Sequence, residues 1–252
     1  MKTIEITSLQ NDLVKYALKL QEAKFRKKEK LILVDGAQTL EGFIQDKIQF
    51  KYLFLKKDNP LFERAIAENV VFVNDEILKK ISTTKTPTDV VGIIEEPKED
   101  LNSFLKLNKI ALIDGIKDPG NLGTIIRSAA AFSIDGIILF NDCVDLYNSK
   151  TIRATAQNIF KLPIIRIKDI EFIEQFKKTH KFISTVVDSD MDFSKCNFSN
   201  KFIIAFGSEA DGISDEIRKI SDEKITIKMD NNVESLNLGV CASIVFASIR
   251  KK

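Results

Sequence analysis

The chain has 252 residues, of which 44% are hydrophobic and 29% charged, with a formal net charge of +2. This length fits one large domain or two small ones with a proper core, and no apolar run approaches the ~18 residues of a membrane span. A single histidine, His180, and three scattered cysteines argue against a structural zinc site or a histidine-based triad, and the polar start lacks a signal peptide, so a cytoplasmic protein without metal is expected.

The first element is a helix over 9–25, with Leu9, Leu13, Tyr16, Ala17 and Leu20 on one stripe. Residues 1–30 hold eight Lys/Arg against four Asp/Glu, centred on Lys24, Arg26, Lys27 and Lys28. A phosphate backbone would favour such a patch, and a plain solvated helix face would also account for it. A buried strand follows at 31–34, then an amphipathic segment at 37–45. A strand at 51–55, a helix at 61–68 and strands at 70–73 and 90–95 complete this part. Strands alternating with helices imply a mainly parallel sheet covered on both faces.

The charged, proline-containing stretch that starts at Glu95 suggests a boundary. The chain divides into a domain at 1–96, a linker at 97–108 and a second α/β domain at 109–252. The second domain opens with a strong strand at 109–114. Helices are expected at 122–132, 149–158 and 170–177, from Ser214, and over 235–250. Strands are expected at 136–140, 163–165, 182–187, 202–206 and 224–228.

Three segments of this half follow strand ends, where open parallel sheets bind ligands. The first runs from Asp118 to Arg127, and Asn121 is the expected helix cap. Arg127 lies in a small-residue, apolar helix and needs an anionic partner or a cleft; a structural ion pair and a ligand contact both satisfy that. The second runs from Gly207 through Glu209 to Gly212, where Gly207 permits close backbone approach. Alone it reads equally as a turn. The third, Glu234-Ser235-Leu236-Asn237, precedes the last helix. Its polar side chains exceed what one cap needs, and a helix N-terminus can hold an anion. Arg153 reads as an exposed salt bridge. No P-loop, GxGxxG or aromatic RNA-stacking signature occurs.

Together the three segments resemble the signature motifs of the SpoU/TrmH-type RNA ribose methyltransferases of the SPOUT superfamily. The N-terminal part is similar to that family's substrate-binding domain, through Ile6-Thr7-Ser8-Leu9-Gln10-Asn11, Val14-Lys15 and Leu33-Val34-Asp35-Gly36. The resemblance implies an α/β SPOUT domain with a trefoil knot, and a smaller ribosomal-protein-like α/β domain before it. It also implies a homodimer whose interface helps build each active site. S-adenosylmethionine would be the methyl donor and an RNA ribose 2′-hydroxyl the acceptor, with 23S ribosomal RNA as the expected substrate. By the same resemblance Asn121, Arg127, Glu209, Ser235 and Asn237 are catalytic-site residues. Gly207, Ile227 and Leu236 contact the donor, and Met229 lies beside them. The sequence departs from the pattern at Gln157, where a glycine is common, and at Gly239, where a serine is frequent. A tRNA methyltransferase and a non-catalytic RNA-binding protein of the same fold are the competing expectations.

Overall fold

Runs of β-branched and apolar residues form two separate sheets. The computed structural model describes residues 1–84, 86, 88–230, 232 and 235–250. Unit 1 comprises Met1–Lys98 and Tyr147–Arg153, and unit 2 comprises Glu99–Leu146 and Ala154–Lys252.

Unit 1 contains β1 (Lys2–Ile6), α1 (Asp12–Lys19), α2 (Ala23–Glu29), β2 (Leu31–Asp35), α3 (Ala37–Gln45), β3 (Phe50–Leu55), β4 (Ala67–Val73), α4 (Asp75–Ile81) and β5 (Val90–Glu95). Its strand order is β1-β4-β3-β5-β2. β1, β4 and β3 are parallel, whereas β5 is antiparallel to both β3 and β2. This sheet is therefore mixed, because β5 begins opposite the end of β3, with Val90 paired to Leu55. The core joins Val14 and Ala17 of α1 and Ile77, Leu78 and Ile81 of α4 to Leu33, Phe54, Val71 and Ile93 of the strands.

Three expectations for this unit change. The helix over 9–25 is two helices. Arg26, only 7% exposed, explains the break. Its guanidinium donates to the carbonyls of Leu20 at 2.8 Å and Gln21 at 2.7 Å, satisfying acceptors that a continuous helix would use internally. Arg26 is thus structural, and Lys24, Lys27 and Lys28 carry the exposed charge. The expected helix at 61–68 is a 3₁₀ turn, Pro60–Glu63, capped by the Asn59 side chain, and Ala67 already belongs to β4. Strand β1 and helix α4 carried no recognised pattern; β1 is exposed over all but its last residue, so no face alternates.

Unit 2 contains α5 (Leu101–Phe104), β6 (Lys109–Asp114), α6 (Pro119–Ala131) and β7 (Gly136–Phe140). Helix α7 (Ser149–Ala154) follows in the chain, all but its last residue clustering with unit 1. Then come β8 (Ile164–Ile167), α8 (Ile170–Glu174), β9 (Lys181–Thr185), β10 (Phe202–Gly207), α9 (Asp215–Ile220), β11 (Glu223–Ile225) and α10 (Leu238–Arg250). The strands lie in the order β11-β9-β10-β6-β7-β8, and every pair is parallel. Burial on both faces explains the continuous apolar runs of β6, β7 and β10. The stretch 97–108 carries α5, and Phe104 packs into the unit 2 core. Its second half is therefore part of this unit, because it contributes a buried aromatic. Among the described residues no helix is long and apolar enough to cross a membrane.

Candidate active site

β6 is flanked by β7 on one side and by β10 on the other, so the strand order reverses direction there. The carboxyl ends of the strands at such a reversal are where open α/β sheets bind ligands. Gly207, the last residue of β10, pairs with Asp114, the last residue of β6.

The first segment leaves β6 and enters α6. Asp118 caps this helix, with Oδ1 accepting from the Asn121 amide N–H at 2.8 Å, and Pro119 opens its first turn. Asn121 is therefore not the cap. It sits one turn in, and its own side chain is available for other bonds.

The second segment folds directly over the end of β10. Ser208 and Gly212 exchange two backbone hydrogen bonds, at 3.1 and 3.0 Å, and Asp211 N–H donates to Ser208 Oγ at 3.0 Å. Gly212 has φ +69°, a left-handed conformation that glycine adopts without steric cost. A Cβ on Gly207 would lie 2.0 Å from the carbonyl carbon of Gly212, so the turn closes only over a residue without a side chain. This loop presents Glu209 to solvent.

The third segment enters α10. Asn237 Oδ1 accepts from Val240 N–H at 3.2 Å and caps the helix. Its Nδ2 donates to Asn121 Oδ1 at 2.8 Å, and Asn121 Nδ2 donates to Glu209 Oε1. One continuous chain of hydrogen bonds thus joins residues 88 and 116 positions apart. Its ends determine both amides. A carboxylate only accepts and a backbone N–H only donates, so neither asparagine can flip without losing two bonds.

Helices α6 and α10 approach closely. A Cβ on Gly239 would lie 3.0 Å from Thr124 Cβ and 3.3 Å from Asn237 Oδ1, so glycine keeps this contact free of crowding. One turn further along α10, the Ser243 hydroxyl lies 2.6 Å from the Ser128 hydroxyl of α6. Arg127, on the same helix as Ser128, is exposed and makes no ion pair among the described residues. The structural ion pair that could have explained it is not formed there.

Among the other expected residues, Ser235 is exposed and Leu236 half-buried, immediately before Asn237. Val233 and Glu234, at the start of this segment, lie outside the described residues. Ile227 and Met229 are half-buried beyond β11. That stretch is tied down by the loop between β9 and β10: Thr226 N–H donates to Met191 O at 2.9 Å, and Lys228 N–H to Asp192 Oδ2 at 3.3 Å. Arg153 groups with unit 1 and donates to Asp35 Oδ1 at 3.1 Å, so its salt bridge is to a buried carboxylate. Gln157 has φ +74°, a left-handed conformation that glycine adopts without steric cost.

Sequence reasoning missed Asp114 and Asp118. Asp114 is 3% exposed at the end of an apolar strand, and a carboxylate closing such a run was the available signal. The three thiols carry no sign of reactivity: burial pushes Cys241 up to about 11 and raises Cys143, and Cys196 is buried.

The chain is also similar to known proteins along its length. The SpoU rRNA Methylase family matches residues 108–247, and the MRM3-like substrate binding domain matches residues 11–92. The 23S rRNA (guanosine(2553)-2′-O)-methyltransferase RlmP of Bacillus subtilis is 27% identical over 254 residues, spanning 99% of this chain and 100% of its own. A 23S rRNA (uridine(2479)-2′-O)-methyltransferase of Streptomyces viridochromogenes is 25% identical, over 73% of this chain and 68% of its own. The AdoMet-bound rRNA methyltransferase from Sinorhizobium meliloti superposes with a TM-score of 0.87 at 26% identity, covering 99% and 98% of the two chains. With its family match spanning more than half of its length, the chain belongs to the SpoU rRNA methylase family.

Proposed function

We propose that this protein transfers the methyl group of S-adenosylmethionine to a ribose 2′-hydroxyl of RNA, with 23S ribosomal RNA as the substrate class. The observation that carries this reading is the hydrogen-bond chain Glu209–Asn121–Asn237–Val240, which gathers three distant segments at the strand-order reversal, with Arg127 exposed on the same helix as Asn121. The relatives named above act on ribosomal RNA.

The residues present fit the donor. Ile227, Met229 and Leu236 are apolar yet only half-buried, which suits the flat face of a purine. Gly207 lets the Gly207–Gly212 loop close against the strand end, because Gly212 occupies the space a side chain would fill. When bound, S-adenosylmethionine supplies a methyl group already activated by its sulfonium. The protein's task is then to hold a 2′-oxygen in line with it, and such positioning contributes roughly 7–11 kcal/mol.

Arg127 binds the phosphate next to the target ribose and stabilises the oxyanion that forms. A guanidinium offers only N–H donors and no acceptor, so the proton leaves to that phosphate or to water. Ser235 orients the ribose, and Asn121, Glu209 and Asn237 hold the loops in register. The lysines of α2 offer the RNA backbone a basic face in unit 1. Val240 and Ile244, 45% and 37% exposed and one turn apart on α10, supply apolar surface for a second copy in a homodimer. The trefoil knot and a cytoplasmic location complete the reading.

The test is incubation with radiolabelled S-adenosylmethionine and 23S rRNA, followed by mapping of 2′-O-methylated positions. Wild type labels one ribose. Arg127→Ala keeps the fold and loses about 10²–10³-fold in kcat, the scale of a missing oxyanion donor. Binding of RNA with no affinity for the donor would favour a non-catalytic binding protein; labelling of tRNA alone would redirect the substrate.

A further inference from the structure

Asp114 takes no part in the chain of bonds described above, yet it is almost fully buried at its base. Its two oxygens face two different donors. Oδ1 accepts from Asn141 Nδ2 at 2.6 Å, just past β7, and Oδ2 accepts from Ser214 N–H at 2.8 Å, where the Gly207–Gly212 loop ends. Ser214 precedes α9, where a serine ordinarily anchors a helix start through its own hydroxyl. Here that hydroxyl makes no capping bond and is buried without a hydrogen-bond partner among the described residues. The anchor of the loop exit is therefore Asp114.

The loop between these points is internally braced by the Ser208–Gly212 bonds and by Asp211 on Ser208 Oγ. A braced loop moves as a piece when one of its two attachments moves. One attachment is β10, and the other is Ser214 on Asp114. Glu209 rides on this piece, and Asn121 takes its orientation from Glu209.

We propose that Asp114 is a positioning residue for the methyl-transfer site: its carboxylate fixes the exit of the Gly207–Gly212 loop and thereby places Glu209. This rests on the function proposed above. The chemistry requires a carboxylate specifically. Both neighbours are donors, and an amide at position 114 has one acceptor and would point its NH₂ at a second donor. Exchanging the two side chains restores the match: the amide oxygen takes Ser214 N–H, and its NH₂ donates to a carboxylate at position 141.

The experiment compares wild type, Asp114→Asn and the double variant Asp114→Asn/Asn141→Asp in the full-length chain. Two readouts are S-adenosylmethionine affinity by calorimetry and amide exchange of residues 209–214 by mass spectrometry. Asp114→Asn is expected to weaken donor binding at least tenfold and to speed exchange in the loop at least tenfold. The double variant is expected to return both to within threefold of wild type, which loss of general stability would not do. Wild-type affinity and exchange in Asp114→Asn overturn the proposal, and so does a folded double variant that restores neither. If Asp114→Asn does not fold, Asn141→Gly removes one donor at a residue whose φ of +58° glycine accepts; faster exchange at 209–214 supports the proposal and unchanged exchange ends it. If wild type binds no S-adenosylmethionine, the functional reading falls, while the exchange data still decide the role of Asp114.

Discussion

Asn237 does two separable jobs, and one pair of substitutions can split them. Its Oδ1 caps α10 through Val240 N–H, and its Nδ2 holds Asn121. Asn237→Ala removes both. A lost cap costs about 1 kcal/mol and a lost side-chain hydrogen bond about 1 kcal/mol, so α10 should lose roughly 2 kcal/mol of local stability. Asn237→Asp keeps an equivalent cap and adds a favourable charge at the helix N-terminus, worth about 0.3–1 kcal/mol. It cannot donate to Asn121. An acceptor then faces an acceptor, and Asn121 can satisfy it only by turning its oxygen toward Glu209. Stability should therefore follow the order wild type ≈ Asn237→Asp > Asn237→Ala, whereas kcat/KM should fall about 10–30-fold in both, the equivalent of roughly 1.4–2 kcal/mol. Amide exchange in the first turn of α10 reads the cap, and methyl transfer to rRNA reads the site. Equal loss of protection in the two variants, or full activity in Asn237→Asp, would show that the hydrogen-bond chain does not organise the site.

The two glycines of the second segment should respond differently to alanine. Gly207→Ala meets backbone at 2.0 Å and should cost about 3 kcal/mol or more. Gly212→Ala meets nothing within 4 Å and pays only for its positive φ, about 1 kcal/mol; equal urea-unfolding midpoints would contradict this. His180 donates from Nε2 to Leu107 O at 2.8 Å, so Nδ1 accepts from the Thr179 hydroxyl, and burial lowers its pKa from 6.5. Its contribution is fully present above the unfolded value and lost as pH falls through 6.5 toward the lower folded one. Wild type should thus lose more stability between pH ~7.5 and ~5.5 than His180→Gln, and parallel pH curves would remove the histidine from the account. Neutralising Lys24, Lys27 and Lys28 with glutamine should flatten the slope of log K against log salt for RNA binding by about 2. An unchanged slope would place the phosphate contacts elsewhere.

The three segments of the site were legible in the sequence because each carries glycine or capping chemistry after an apolar strand. Their mutual geometry was not. Asn121 looked like a cap because asparagine favours that position, yet Asp118 three residues earlier takes it, and the capping role alone would have hidden the bond to Glu209. Arg26 looked like one more surface charge, and only burial shows that it ends a helix. The helix at 61–68 failed because the apolar spacing of a 3₁₀ turn running into a strand mimics one helical stripe.

Composition and pattern by themselves determined two α/β units, the parallel sheet of the second, and which loops hold the polar side chains, since burial on one or two faces writes itself into residue periodicity. The tertiary structure alone decided that Glu209, Asn121 and Asn237 share one hydrogen-bond chain, that Arg127 is left without an ion pair among the described residues, and that Asp114 underlies the loop. Periodicity reports which face of an element is covered, whereas contacts between residues some hundred positions apart depend on strand order and register.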